Sequence, residues 1–164
     1  MTSEQLVFRE GPVDGVVIRP LRRFDDARGW LIELYREDEL APAFHPLMAY
    51  VSQTLPGAVR GPHGHRDQTD CFAFVGPGEF ELYFWDARPD SPTLGHKQVL
   101  LAGAANRVLV TVPPGVVHAY RNVGQVPGWV FNAPNRLYAG PGKLGPVDEV
   151  RYEDLPNSPF LIEE

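Results

Sequence analysis

Proline and glycine interrupt this chain at near-regular intervals, seventeen of one and sixteen of the other in 164 residues. Proline lacks the amide that a helix interior needs, and glycine weakens a helix, so breaks this frequent leave little room for long helices. Between the breaks lie short runs rich in β-branched and aromatic residues: "GVVIRPL", "WLIELY", "AYVSQTL", "CFAFV", "FELYFWDA", "KQVLLA", "RVLVTV", "VVHAYRNV" and "GWVFNA". Runs of this length and composition read as strands. Only "REDELA", from Arg36, has helix-like composition, enough for one or two turns. The expected fold is all-β, an antiparallel double-sheet jelly-roll barrel. No repeat, low-complexity linker or shift in composition marks a boundary, so residues 1–164 are expected to form a single domain. The turn-rich end, "RYEDLPNSPFLIEE", is expected to pack back over the sheet.

Charge and composition narrow the function. The net charge is −6 and no basic stripe is visible, which disfavours nucleic acid as a partner. No apolar run approaches the ~18 residues of a membrane span. The start, "MTSEQLVFREG", lacks the basic-then-apolar order of a signal peptide. The lone cysteine, Cys71, cannot form an internal disulfide, which fits a reducing cytoplasm. It lies in the apolar run "CFAFV" and reads as a buried structural thiol.

The chemistry gathers on histidines. Residues two apart on a strand share a face, so His63 and His65 aim together. A Pro113–Pro114–Gly115 turn precedes a strand carrying His118. Two histidine-bearing strands after tight turns can converge on the mouth of a barrel, where ligand sites concentrate. Three imidazoles with the carboxylate of Asp70 would supply four metal ligands. The same imidazoles could instead carry protons, or serve only as hydrogen-bonded structural residues.

The spacing Gly57, five residues, His63, one residue, His65, four residues, Asp70 resembles the first motif of the cupin superfamily, with Asp70 where glutamate is usual. Pro113, one residue, Gly115, two residues, His118, three residues, Asn122 resembles the second, with Arg107 where its leading glycine would stand. Four further blocks in order, "FDDARGWLIE", "RGPH", "DARPDSPTLG" and "VPPGVVHAY", resemble the dTDP-4-dehydrorhamnose 3,5-epimerases. That resemblance implies a homodimeric jelly roll that binds a nucleotide-activated 4-keto-deoxysugar and moves a proton beside the keto group, in deoxysugar or polysaccharide biosynthesis, with no cofactor. It implies His63 as catalytic base, with Asp154 of "RYEDLP" orienting it. It also implies Arg60 beside the sugar and pyrophosphate, Phe24, Arg28 and Glu33 on the nucleotide, and His118 and Tyr138 in the pocket.

Two positions depart from the family pattern. Asp70 falls where the epimerases carry a lysine that steadies the enolate, and a carboxylate facing an enolate would repel it. Phe131 falls where they carry a proton-returning tyrosine. The Arg60-Gly61-x-His63-x-His65 string also resembles sugar-nucleotide 3,4-ketoisomerases, in which two neighbouring imidazoles, His63 and His65 here, would share the proton transfer. A metal-binding cupin using His63, His65, Asp70 and His118, with a divalent ion, or a non-catalytic cupin, is the alternative.

Overall fold

The computed structural model describes residues 6–41 and 44–162. It is all-β, 42% strand and 4% helical, with antiparallel sheets. The strands are β1 (Arg9–Glu10), β2 (Val17–Pro20), β3 (Arg23–Asp26), β4 (Gly29–Ile32), β5 (Tyr50–Thr54), β6 (Val59–Gly64), β7 (Asp70–Phe74), β8 (Glu79–Asp86), β9 (His96–Gly103), β10 (Val108–Val112), β11 (Val116–Asn122), β12 (Gly128–Asn132) and β13 (Val150–Arg151). Short 3-10 turns at Glu37–Glu39 and Pro141–Lys143 are the helical pieces among the described residues. The first lies within "REDELA", as its composition predicts.

Two sheets face each other. One runs β1-β9-β8-β11-β6-β13 and the other β2-β10-β7-β12-β5, with β3 and β4 forming a separate hairpin. Every pairing is antiparallel except β1 on β9. The two-residue period sorts side chains between the core and the outside. Phe72 and Phe74 of β7, Phe80, Leu82 and Phe84 of β8, and Val116 and Tyr120 of β11 fill the space between the sheets. Burying each such side chain stabilises by about 1.5–3 kcal/mol.

The alternate residues are also covered, which is why β7 and β8 read as continuous apolar runs. Cys71 and Ala73 of β7 pack outward under Leu21 and Phe44. Tyr83 and Trp85 of β8 pack outward under Phe160. Phe160 belongs to the C-terminal segment, which folds back over the six-stranded sheet and adds β13 to its edge beside β6.

The block "DARPDSPTLG" is a turn built around one buried carboxylate. Asp86 has no solvent contact. It accepts hydrogen bonds from Arg88 Nε (2.9 Å) and Nη2 (2.8 Å), from Thr93 Oγ1 (2.6 Å) and from Ser91 Oγ. Burial alone would raise its pKa, but these donors outweigh burial and hold it well below the usual carboxylate range. The Pro113–Pro114–Gly115 turn passes the chain from β10 in one sheet to β11 in the other. It is a crossover between layers, and it delivers His118 to the strand next to β6.

Candidate active site

The site forms where the inward faces of four strands reach one end of the barrel. On β11, His118 follows Val116 on the inward side, and His63 of β6 lies directly opposite it in the ladder. Between His118–His63 and Tyr120–Arg60 the register shifts, so that Gly61 and Pro62 oppose Ala119 alone. Such a bulge bends its strand and re-aims its side chains. Gly61 is required there, with φ at +86° and space for a Cβ only 2.6 Å from the His118 carbonyl. The ring centres of His63 and His118 are 4.5 Å apart, and those of His63 and His65 are 5.8 Å apart.

Asp70 opens β7 on the same inward face as Phe72, and only 1% of it is exposed. Its Oδ1 accepts hydrogen bonds from Asn132 Nδ2 (2.8 Å) and Gln68 Nε2 (3.0 Å). Its Oδ2 faces His65 Nε2 at 3.1 Å and His118 Nε2 at 3.2 Å. The His118 contact is off-axis, and both Oδ2 and His118 Nε2 are buried without an aligned hydrogen bond. The opposite nitrogens of both rings point at backbone carbonyls: His65 Nδ1 at Asp148 and His118 Nδ1 at Val116 (3.2 Å). A carbonyl oxygen only accepts, so Nδ1 is the protonated nitrogen of each ring when neutral; Nε2 then turns a lone pair toward Asp70, and only an imidazolium would donate to it. Two lone pairs against one carboxylate oxygen repel unless a cation, a proton or a metal, lies among them.

Burial, reinforced by the His118 ring, pushes His63 down to about 3, so its ring is neutral at neutral pH. Burial also opposes charge on His65, but the hydrogen bond and attraction of Asp70, with the Asp148 carbonyl, outweigh it and raise its pKa. Burial acts to raise the Asp70 pKa, yet the two imidazoles more than reverse it and hold the carboxylate far below its ordinary range. Ligand atoms of His63, His65, Asp70 and His118 lie within 4.8 Å of one another, a set able to hold a divalent ion.

A model of the family described as dTDP-4-dehydrorhamnose 3,5-epimerase matches residues 10–136. The chain belongs to this epimerase family. It is 36% identical over 115 residues to the spore coat polysaccharide biosynthesis protein SpsL of Bacillus subtilis, covering 70% of this chain and 75% of that one. It is 34% identical over 127 residues to the probable low-salt glycan biosynthesis epimerase Agl13 of Haloferax volcanii, covering 77% of this chain and 81% of that one. Among solved structures, a dTDP sugar isomerase from Desulfovibrio desulfuricans superposes with a TM-score of 0.76 at 26% identity, over 93% of this chain and 91% of that chain.

The other positions singled out from the epimerase pattern are dispersed. Arg60 is exposed on β6, opposite Tyr120 of β11, its guanidinium bonded to Thr54 Oγ1 (3.0 Å) and the Gln53 carbonyl (2.7 Å). Phe24 is on β3, Arg28 in the β3–β4 turn and Glu33 just after β4, all exposed. Arg28 pairs with Asp26 at 2.6 Å, and Asp26 also caps the turn by accepting from the Arg28 amide (2.8 Å). Glu33 lies 4.0 Å from Arg36. Tyr138 is exposed on the loop after β12, its amide against the sulfur of Met48 (3.2 Å). Asp154 is exposed in the turn after β13 and makes no hydrogen bond to His63 among the described residues. The carboxylate brought against the imidazoles is Asp70. Phe131 turns away from the histidines into the outer cluster with Cys71 and Ala133. The β12 side chain that reaches the site is Asn132.

Four groups at the site escape sequence reading. Asn132 is fully enclosed: it donates to Asp70 and to Tyr50 OH (2.9 Å), and its carbonyl accepts the Cys71 amide (3.0 Å). Tyr50 of β5 is thereby tied to the cluster, and burial pushes its hydroxyl up to about 12. Gln68 and Asp148 complete the surround. Nothing in "NAP", "DQT" or "PVDE" sets these residues apart from ordinary turn and strand-end polar residues.

Proposed function

We propose that this protein is a sugar-nucleotide epimerase acting on a dTDP-linked 4-keto-6-deoxyhexose of the dehydrorhamnose kind, within polysaccharide or glycan biosynthesis in the cytoplasm. The observation that carries the reading is the pairing at the mouth of a neutral imidazole, His63, with a carboxylate–imidazole cluster behind it. His63 takes the proton from the carbon beside the keto group, and Asp70, which favours charge on this ring, helps it hold that proton. The enolate then needs positive charge nearby. Asp70 does not face it as a bare carboxylate, because both imidazoles stand against its oxygen. Asp70 favours charge on His65, so His65 is the group placed to become cationic as the enolate forms, in the role the family lysine would fill.

The exposed Arg60 suits the pyrophosphate, since a guanidinium stays charged and offers paired donors. The β3–β4 hairpin, with Phe24 (42% exposed), Trp30 (56%) and Leu31 (59%), supports a homodimer in which Phe24, Arg28 and Glu33 reach the nucleotide across the interface. The test is solvent deuterium exchange at carbons 3 and 5 of a dTDP-4-keto-6-deoxyhexose, followed by NMR. Wild type exchanges, and His63→Asn lowers the rate by about 10²-fold or more while still binding dTDP. Bound ligand with no exchange in wild type would reduce the protein to a binding module.

A second reading rests on the unaligned pair Asp70 Oδ2 and His118 Nε2. The epimerase family acts without a metal cofactor, so a divalent ion on His63, His65, Asp70 and His118 would set this chain apart. Elemental analysis of purified protein and chelator treatment decide between them: stoichiometric metal, with exchange lost on its removal, selects the ion over the proton.

A further inference from the structure

Asp148 precedes β13 by two residues and does two things at once. Its carboxylate accepts three consecutive backbone amides of the β6–β7 loop: Arg66 (3.0 Å), Asp67 (2.9 Å) and Gln68 (2.8 Å). Its own backbone carbonyl accepts the Nδ1 proton of His65. The loop it clamps also carries Gln68, whose amide nitrogen donates to Asp70 Oδ1 (3.0 Å) and lies 3.2 Å from His65 Nε2. Both ring nitrogens of His65 are therefore addressed by groups that Asp148 holds in place. Three amides on one carboxylate form a strong, charge-assisted clamp.

We propose that Asp148 is the positioning residue of this site: it closes the β6–β7 loop onto the C-terminal segment and so fixes His65 in the tautomer whose Nε2 addresses Asp70. The neighbouring strand pairing keeps the clamp in register. Val150 lies opposite Gly64 and Arg151 opposite His63, and the Tyr152 and Glu153 amides both donate to the Pro62 carbonyl. The His65 carbonyl is itself taken by the Gly115 amide (2.8 Å), which anchors the backbone under the ring. Without the clamp, His65 can rotate or change tautomer, and its Nε2 no longer has a fixed place against Asp70. The effect on turnover rests on the epimerase reading above, whereas the effect on the tautomer does not.

The experiment compares wild type, Asp148→Ala and Asp148→Asn. Long-range ¹H–¹⁵N spectra of histidine-labelled protein report which nitrogen of His65 carries the proton. The expected result is a single Nδ1–H tautomer in wild type and a mixture in Asp148→Ala. Deuterium exchange into the keto sugar should fall about tenfold in kcat with KM within twofold, as misplacement of a catalytic group costs rate rather than binding. Asp148→Asn keeps one acceptor oxygen and should recover part of both signals. Should Asp148→Ala fail to fold, Asp148→Asn alone decides, by a tautomer mixture and reduced kcat. A folded variant with an unchanged His65 spectrum overturns the proposal and leaves Asp148 a loop anchor only. Absence of exchange in wild type would defeat the epimerase reading, while the His65 spectra would still judge the role of Asp148.

Discussion

At the scale of single residues, the site is governed by one oxygen atom. Asp70 Oδ1 is saturated by two side-chain amides, so Oδ2 alone meets the imidazoles. A carboxylate in a lysine's place suggests a reversed charge at the reacting centre when read along the sequence. In the folded chain that charge lies behind the rings, with the Nε2 atoms of His65 and His118 facing its oxygen. Arg60 makes the simplest residue-level prediction. Its guanidinium is fixed from one side by Thr54 and Gln53, leaving donors free for a phosphate. Arg60→Ala should weaken dTDP-sugar binding roughly ten- to a hundredfold, the loss of a charge-assisted pair worth about 1.5–3 kcal/mol. Calorimetry showing unchanged affinity would remove Arg60 from the proposed pocket.

At the scale of elements, the bulge in β6 and the Asp86 turn carry two further predictions. Gly61→Ala places a methyl group 2.6 Å from the His118 carbonyl at a φ that L-residues rarely adopt. It should destabilise by more than about 2 kcal/mol, read as a lower denaturation midpoint, and should displace His63 with it. The Asp86 carboxyl has a folded pKa held below its unfolded value of about 3.9. Its contribution to stability is therefore complete above that unfolded value and is lost as pH falls through the folded one. Asp86→Asn should be less stable than wild type at neutral pH, with the difference shrinking below about pH 4. Equal gaps at pH 7 and pH 3 would show that the carboxylate is not the stabilising species. All nine apolar runs in the sequence became strands: eight fill faces of the two packed sheets, and "WLIELY" gives β4 of the separate hairpin. The strand that carries His63, β6, is not among those runs: Gly61 and Pro62 interrupt "VRGPHG", and pairing to β11 and β13 on both sides holds it as a strand. His63, His65, Asp70 and His118 were legible as a cluster because spacing on strands fixes direction. Asp148 and Asn132 were not, since their partners lie 61 to 83 residues away, and Gln68 was not, since nothing in "DQT" marks it off from an ordinary polar loop residue.

At the scale of the whole molecule, the β3–β4 hairpin stands apart from both sheets with its aromatic residues exposed. If it seats on a second copy as proposed, Trp30→Glu should shift sedimentation from dimer to monomer at micromolar concentration and weaken dTDP binding together. Loss of the dimer with binding intact would separate the hairpin from the nucleotide. The position of β13 has a consequence in time. The twelve preceding strands hold both sheets and the apolar core between them, and His65 is made 83 residues before the carbonyl that fixes its ring. At about 5–20 residues per second, that gap lasts on the order of ten seconds of synthesis. For that interval the nascent chain can bury its core before Asp148 arrives to hold the His65 ring.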